Sequence, residues 1–282
     1  MAAKRKTLLE WVGNQHPLAV MLQETWLVNH NKILEVAIAS EAPEYTLLAN
    51  SDYKEATGGT ALLLHKSIAA TVVKNKIFSS SAGNILAVPV RTLISGQLLW
   101  LVSVYVPCHN KEKDAFYKDD VYKLAEHMAI EGKAADMIVI GLDANTVANT
   151  ARDVEWESYN PNTCDSNLRE ISKFSLLYNA WMDSCNMIDS WRRHFPVTRE
   201  YTRVPAAPGQ VAKRLDYILL NKGIENTCLE AGIMPASGLP WDTDHASTFV
   251  KLLSLPIARE ELRNIIKGHY SRQMISTTIK FT

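Results

Sequence analysis

The sequence predicts an α/β fold in which one β-sheet packs on another and helices cover the outside. Three observations support this. Short apolar runs bounded by turn residues recur along the chain, apolar stripes at helical spacing alternate with them, and two of the runs flank a tight turn. Leu8, Leu9 and Val12 fall on one helical face, and Gly13 with Pro17 ends that helix before a strand from Leu18 to Leu22. Gly58-Gly59 introduces a second strand, Thr60 to His65. Ile85 to Arg91 and Leu98 to Val106 flank Ser95-Gly96 and read as a hairpin. Tyr117, Val121, Leu124 and Met128 form a helical stripe that Gly132 terminates, and Asp136 to Ile140 is the next strand. Ile171, Phe174, Tyr178, Trp181 and Cys185 make another stripe, with Asn167 and Glu170 placed as a capping box. Pro205 to Gly209 reads as a loop, Arg214 to Leu220 as a strand, and Ala246 to Leu253 as the last strand. From Leu255 the chain carries Arg259, Arg263, Lys267 and Arg272, so a part-helical tail at 255–282 is expected beyond a domain at 1–254.

Bulk composition narrows the function classes. The chain has 282 residues, 47% hydrophobic and 21% charged, enough for a large core and unlike a disordered segment. Formal net charge is zero, so no global field draws the chain to nucleic acid, and DNA binding requires a local basic surface. Cys108, Cys164, Cys185 and Cys228 lack C-x-x-C spacing and read as reduced intracellular thiols. No apolar stretch has the length of a bilayer span, so no membrane role is expected.

Polar residues stand at the ends of the apolar runs. Gln23-Glu24-Thr25 closes the first strand, Tyr105 lies late in the run to Val106, and Asp143 and Asn145 follow Met137 to Ile140. Asp216 sits between Leu215 and Tyr217, and Asp244-His245 precedes the last strand. Glu24 alone reads as a solvated residue or helix cap and Asp143-Ala144-Asn145 as a turn, whereas Asp244-His245 is unusual as loop filler before an apolar strand. Asp216 is harder to explain that way, because a carboxylate in so apolar a run needs a partner. Together they supply what metal-assisted phosphodiester hydrolysis requires. Carboxylates hold Mg²⁺, a positioned water attacks, and a carboxylate fixes the tautomer of a histidine that faces the phosphate. The other histidines lack ligand spacing, and Gly58-Gly59-Thr60 lacks the lysine of a P-loop.

In this order the motifs Gln23-Glu24-Thr25, Tyr105-Val106-Pro107, Gly141-Leu142-Asp143-Ala144-Asn145, Arg214-Leu215-Asp216-Tyr217 and Thr243-Asp244-His245 resemble the endonuclease/exonuclease/phosphatase superfamily. The stretches Asp189 to Arg193 and Arg199 to Arg203 look most like endonuclease domains of non-LTR retrotransposons, relatives of the apurinic/apyrimidinic endonucleases. The resemblance implies a DNase-I-like four-layer sandwich, two packed mixed sheets flanked by helices. It also implies a Mg²⁺-dependent DNA endonuclease, with Mn²⁺ as a possible substitute. Glu24 and Asp244 would serve the metal, and Asp143 would orient or deprotonate the attacking water while Asn145 binds phosphate. Asp216 would orient His245, Tyr105 would stabilise developing charge, and Thr202 would line the DNA side. Arg192, Arg193 and Arg203, interleaved with Trp191 and Tyr201, are either a solvated face or a phosphate-contacting surface. A monomer is expected, intracellular, and nuclear if it serves a retroelement.

The sequence departs from the family's pattern in three places. The family begins with a central strand ending in an Asn at the site, whereas Met1-Ala2-Ala3-Lys4 already enters the first helix. That predicts a truncated chain with a gap in one sheet. Cys108 stands where the repair enzymes carry Asn, and the segment after it is unlike theirs. No reverse transcriptase follows the tail. Two alternatives therefore stay open: a weak or inactive remnant that keeps the fold and DNA binding, and an RNA or lipid-headgroup phosphoesterase of the same fold.

Overall fold

The computed structural model describes residues 2–25, 31–50, 59–92, 97–155, 165–204, 211–240, 243–252 and 273–280. The chain runs α1 (Ala2–Gln15), β1 (Ala19–Gln23), α2 (Asn31–Glu41), β2 (Tyr45–Ala49), β3 (Thr60–His65), α3 (Lys66–Ala69), β4 (Phe78–Ser79), β5 (Ile85–Arg91) and β6 (Leu98–Tyr105). There follow α4 (Asn110–Ala115), α5 (Val121–Glu131), β7 (Met137–Asp143), α6 (Thr150–Asp153), α7 (Asp165–Ser184), β8 (Met187–Asp189) and α8 (Ser190–His194). It closes with β9 (Asp216–Asn221), β10 (Cys228–Met234), β11 (Ser247–Leu252) and β12 (Gln273–Lys280). The turn at Ser95-Gly96, the loop from Pro205 to Gly209 and the tail's basic residues lie outside the described residues.

Strand alternation produces the layers. Every residue of β1 is buried because both faces are covered. Ala19 and Met21 join the core between the sheets with Leu62, Leu64, Val88, Leu101, Val139, Ile218 and Val250. Val20 and Leu22 point the other way, onto Leu8, Leu9 and Val12 of α1. In the second sheet Leu99 and Leu101 face the first sheet, whereas Trp100, Val102 and Val104 face Phe116, Leu124, Tyr178 and Trp181 in the helical layer. The expected four-layer sandwich is formed. Each fully buried Leu, Val or Ile side chain contributes roughly 1.5–3 kcal/mol of transfer free energy. Tyr117, Val121, Leu124 and Met128 form the helical stripe expected of them and pack in the helical layer, while a widened π-type turn at Phe116–Asp120 joins α4 to α5.

The gap expected in one sheet is closed from the other end of the chain. The first sheet has the order β10-β11-β12-β1-β3-β2, and the second β4-β5-β6-β7-β9-β8. Strand β12 pairs parallel with β1, from Ala19 opposite Ile275 to Gln23 opposite Lys280. It pairs antiparallel with β11, from Leu252 opposite Gln273 to Thr248 opposite Thr277. Residues 273–280, expected in a part-helical tail, are thus a strand inside the sheet. The backbone groups of β1 that a gap would leave unpaired gain partners there.

Register sets the site. Tyr105 of β6 pairs with Asp143 of β7, which pairs with Asp216 of β9. Three functional side chains therefore stand in one row across the second sheet, on one face of the pleat. Just below them a polar tie joins the sheets: Gln23 Nε2 donates to Ser103 Oγ at 3.1 Å and to the Gly141 carbonyl at 3.2 Å, while Ser103 Oγ donates to the Leu22 carbonyl at 2.9 Å. Glu24 follows directly, above that tie.

Candidate active site

Glu24 leaves β1 in the left-handed backbone region, with φ of 50°. It lines a cleft of about 410 Å³ together with Cys108, Asn145, Arg203, Lys213, Leu215, Asp244 and His245. Asp143 and Asp216 lie behind that surface and are fully buried. Asp216 Oδ2 stands 2.9 Å from His245 Nδ1, the contact expected from the sequence. A buried carboxylate on one ring nitrogen fixes the imidazole's orientation and favours the tautomer protonated at Nδ1.

Asp143 is held by its neighbour. Its Oδ1 accepts the Asn145 backbone N–H at 2.9 Å, and its Oδ2 accepts Asn145 Nδ2 at 3.3 Å. Asn145 Nδ2 also donates to the Val106 carbonyl at 2.7 Å. Asn145 adopts φ of 43°, a conformation Asn tolerates better than most residues. Tyr105 places its hydroxyl 3.4 Å from Cys108 Sγ. Burial, and then the negative charge of Glu24, push the Tyr105 phenol far above its ordinary range. It stays protonated and able to donate.

Several expected site residues serve elsewhere. Thr202 does not line the cleft: it is fully buried, and its Oγ1 accepts the backbone N–H groups of Leu215 and Asp216 at 2.9 and 3.0 Å. Its carbonyl accepts Ala246 N–H, so one threonine fastens both strands that carry the Asp216–His245 pair. Arg192 pairs with buried Asp153 and donates to the Phe195 and Thr198 carbonyls, which makes it a structural residue. Arg193 pairs with Glu225 and Asn226, and neither arginine lines the cleft. The centre of this network is Arg214, 1% exposed, bonded to Asp153 at 3.0 Å and Asp189 at 2.6 Å and stacked between the rings of Trp191 and Tyr217. Burial opposes its charge, but Asp189, Tyr217 and Asp153 outweigh it and hold the guanidinium ionised.

Of the three expected arginines only Arg203 reaches the cleft, where its Nε lies 3.2 Å from Asp244 Oδ2. Lys213, which the sequence reading passed over, lines the same wall. The backbones of Arg203 and Lys213 exchange hydrogen bonds at 2.8 and 2.9 Å, so two cationic residues stand opposite each other at the cleft. Alternation from Asp216 back through Arg214 could have separated Lys213 from its buried neighbour.

Among the described residues no group of three or more His, Cys, Asp and Glu side chains forms a metal cage. The cleft instead offers the carboxylates of Glu24 and Asp244. An oxygen donor set of one or two carboxylates, the rest of the shell being water, is what Mg²⁺ takes. No helix among the described residues is long and apolar enough to cross a membrane.

Solved structures share the architecture. An AP endonuclease from Leishmania major is 16% identical, with a TM-score of 0.66, over 87% of this chain and 81% of that one. An AP endonuclease from Archaeoglobus fulgidus is 13% identical, with a TM-score of 0.65, over 87% and 92%. A 3′ phosphatase from Neisseria, bound to product DNA hairpin, is 16% identical, with a TM-score of 0.64, over 86% and 92%. Among curated protein sequences none matches. The Endonuclease/Exonuclease/phosphatase family model matches residues 1–245, and with the DNase-I-like sandwich around this cleft the chain belongs to that family.

Proposed function

We propose that the chain is a Mg²⁺-dependent phosphodiester hydrolase that nicks DNA, an endonuclease of the type carried by non-LTR retrotransposons. The observation that carries this reading is the Asp216–His245 pair, 2.9 Å apart, opening on a cleft that Glu24 and Asp244 also line. Glu24 and Asp244 would hold the metal, which would supply positive charge to the scissile phosphate. The chain's own residues do the rest. Asp143, braced by Asn145, orients the attacking water. His245, held through Nδ1 and facing the cleft, takes that water's proton at Nε2 as the water's oxygen bonds to phosphorus, and Asp216 stabilises the charge that grows on the ring. Tyr105 donates to an oxygen on which charge develops. Arg203 and Lys213 attract the phosphate backbone into a cleft otherwise rich in carboxylates.

Two further observations support a working enzyme over a remnant. The first sheet has no open slot beside β1, and Gln23 with Ser103 ties the two sheets directly under the site. DNA is favoured as substrate because the structural relatives include two AP endonucleases and a phosphatase holding a DNA hairpin. In this reading the protein acts as a monomer, in the nucleus of its host.

The test presents duplex DNA, RNA and an inositol phosphate headgroup in parallel, with Mg²⁺ and with a chelator. Cutting of DNA with Mg²⁺ and none with chelator is the expected result. Hydrolysis of only RNA or only the headgroup would overturn the assignment.

A further inference from the structure

Lys113 is a buried lysine that the chemistry above does not use. It is 7% exposed, in α4, and its Nζ donates to the carbonyl of Asn145 at 2.7 Å. The same ammonium lies 5.1 Å from the centroid of the Phe174 ring in α7, which covers its other side. Burying an ammonium is costly, and the cost is offset only where the charge meets a good acceptor or an aromatic face. Here it meets both. The acceptor belongs to Asn145, which braces Asp143 through two hydrogen bonds while holding φ at 43°.

We infer that Lys113 is a positioning residue for the catalytic turn Asp143–Asn145. Its charge fixes the Asn145 carbonyl, and that fixes the left-handed backbone from which the Asn145 amide reaches Asp143 Oδ2 and the Val106 carbonyl. Left-handed backbone is strained for an L-residue, less so for Asn than for most, and still needs holding. A charge-assisted bond to the carbonyl of that peptide is of the size needed to hold it.

The inference rests on the hydrolytic function proposed above, and its test has one readout independent of activity. In Lys113→Met, which keeps the apolar stem against Phe174, kcat should fall about ten- to hundredfold, the size of a lost hydrogen bond to a charged group. KM should hold, and the ¹³C resonance of the Asn145 carbonyl should move. Lys113→Arg keeps a charged donor and should retain most of kcat. In an Asn145→Gly background, where no side-chain amide is left to position, Lys113→Met should add no further loss. Lys113→Gln enters the same comparison if the Met variant does not fold. An unmoved carbonyl resonance, or the same loss with and without Asn145, would overturn the inference. A wild-type chain that cuts no DNA would refute the proposed function, and the resonance would still decide the role of Lys113.

Discussion

Replacing Asp216 with Asn tests whether the buried pair is chemistry or scaffolding. The substitution keeps volume and packing at a fully buried position and leaves the backbone N–H to Thr202 Oγ1 in place. It removes the charge facing His245 Nδ1 at 2.9 Å, and Asn can present an N–H where the carboxylate accepted. The lower bound of the effect is one hydrogen bond to a charged group, about 1.5–3 kcal/mol or at least tenfold in rate. The upper bound is about 10⁴-fold, the loss when a catalytic histidine is forced into the wrong tautomer. The loss should fall on kcat and spare KM, because charge grows on the imidazole only in the transition state. Single-turnover plasmid nicking with Mg²⁺, alongside thermal unfolding, separates rate from stability. Nicking that persists at the wild-type rate in Asp216→Asn while His245→Ala is inactive would refute the reasoning and leave Asp216 a structural role.

Four other outcomes follow from the geometry. Thr277→Pro removes an N–H from the centre of β12, between Met21 and Thr248, and should cost about 3 kcal/mol or more in chemical denaturation, whereas a detached tail would leave the midpoint unmoved. Arg214→Met should destabilise by roughly 3–5 kcal/mol, since it leaves Asp189 without its buried cation and Asp153 with Arg192 alone, and Arg192→Ala should lower Tm while DNA affinity at fixed salt stays the same. Lys213→Gln should weaken DNA binding across sequences and reduce the slope of log affinity against log salt by about one, while Lys222→Gln, exposed outside the cleft, should match wild type; equal slopes in the two variants would remove Lys213 from the binding surface.

Strands with strong apolar runs were legible because both faces of the sandwich are buried. Leu18 to Leu22, Ile85 to Arg91 and Arg214 to Leu220 each correspond to an observed strand. Strand β12 was not legible, because Ser276-Thr277-Thr278 interrupts its apolar residues and its place depends on pairing with β1 and β11. Strand β10 hid for a related reason: it lies at a sheet edge, and its exposed Leu229 with half-buried neighbours carries no continuous run. At the site, Glu24, Asp143, Asp216, Asp244 and His245 announced themselves as polar residues at strand ends. Which side each side chain faces depends on register and on long-range partners. Composition could mark Arg192 and Arg203 as basic, but Asp153 claims the first and the cleft the second. Lys113 was invisible for the same reason, since its acceptor lies 32 residues away.

In the proposed function this cleft breaks phosphodiester bonds in DNA through Glu24 and the Asp216–His245 pair. The most direct measurement is conversion of supercoiled plasmid to nicked circle with Mg²⁺ by the wild-type chain, by Glu24→Gln and by His245→Ala. Nicking by the wild type that both substitutions abolish is the predicted result. No nicking by the wild type, or equal nicking by all three, would contradict the account.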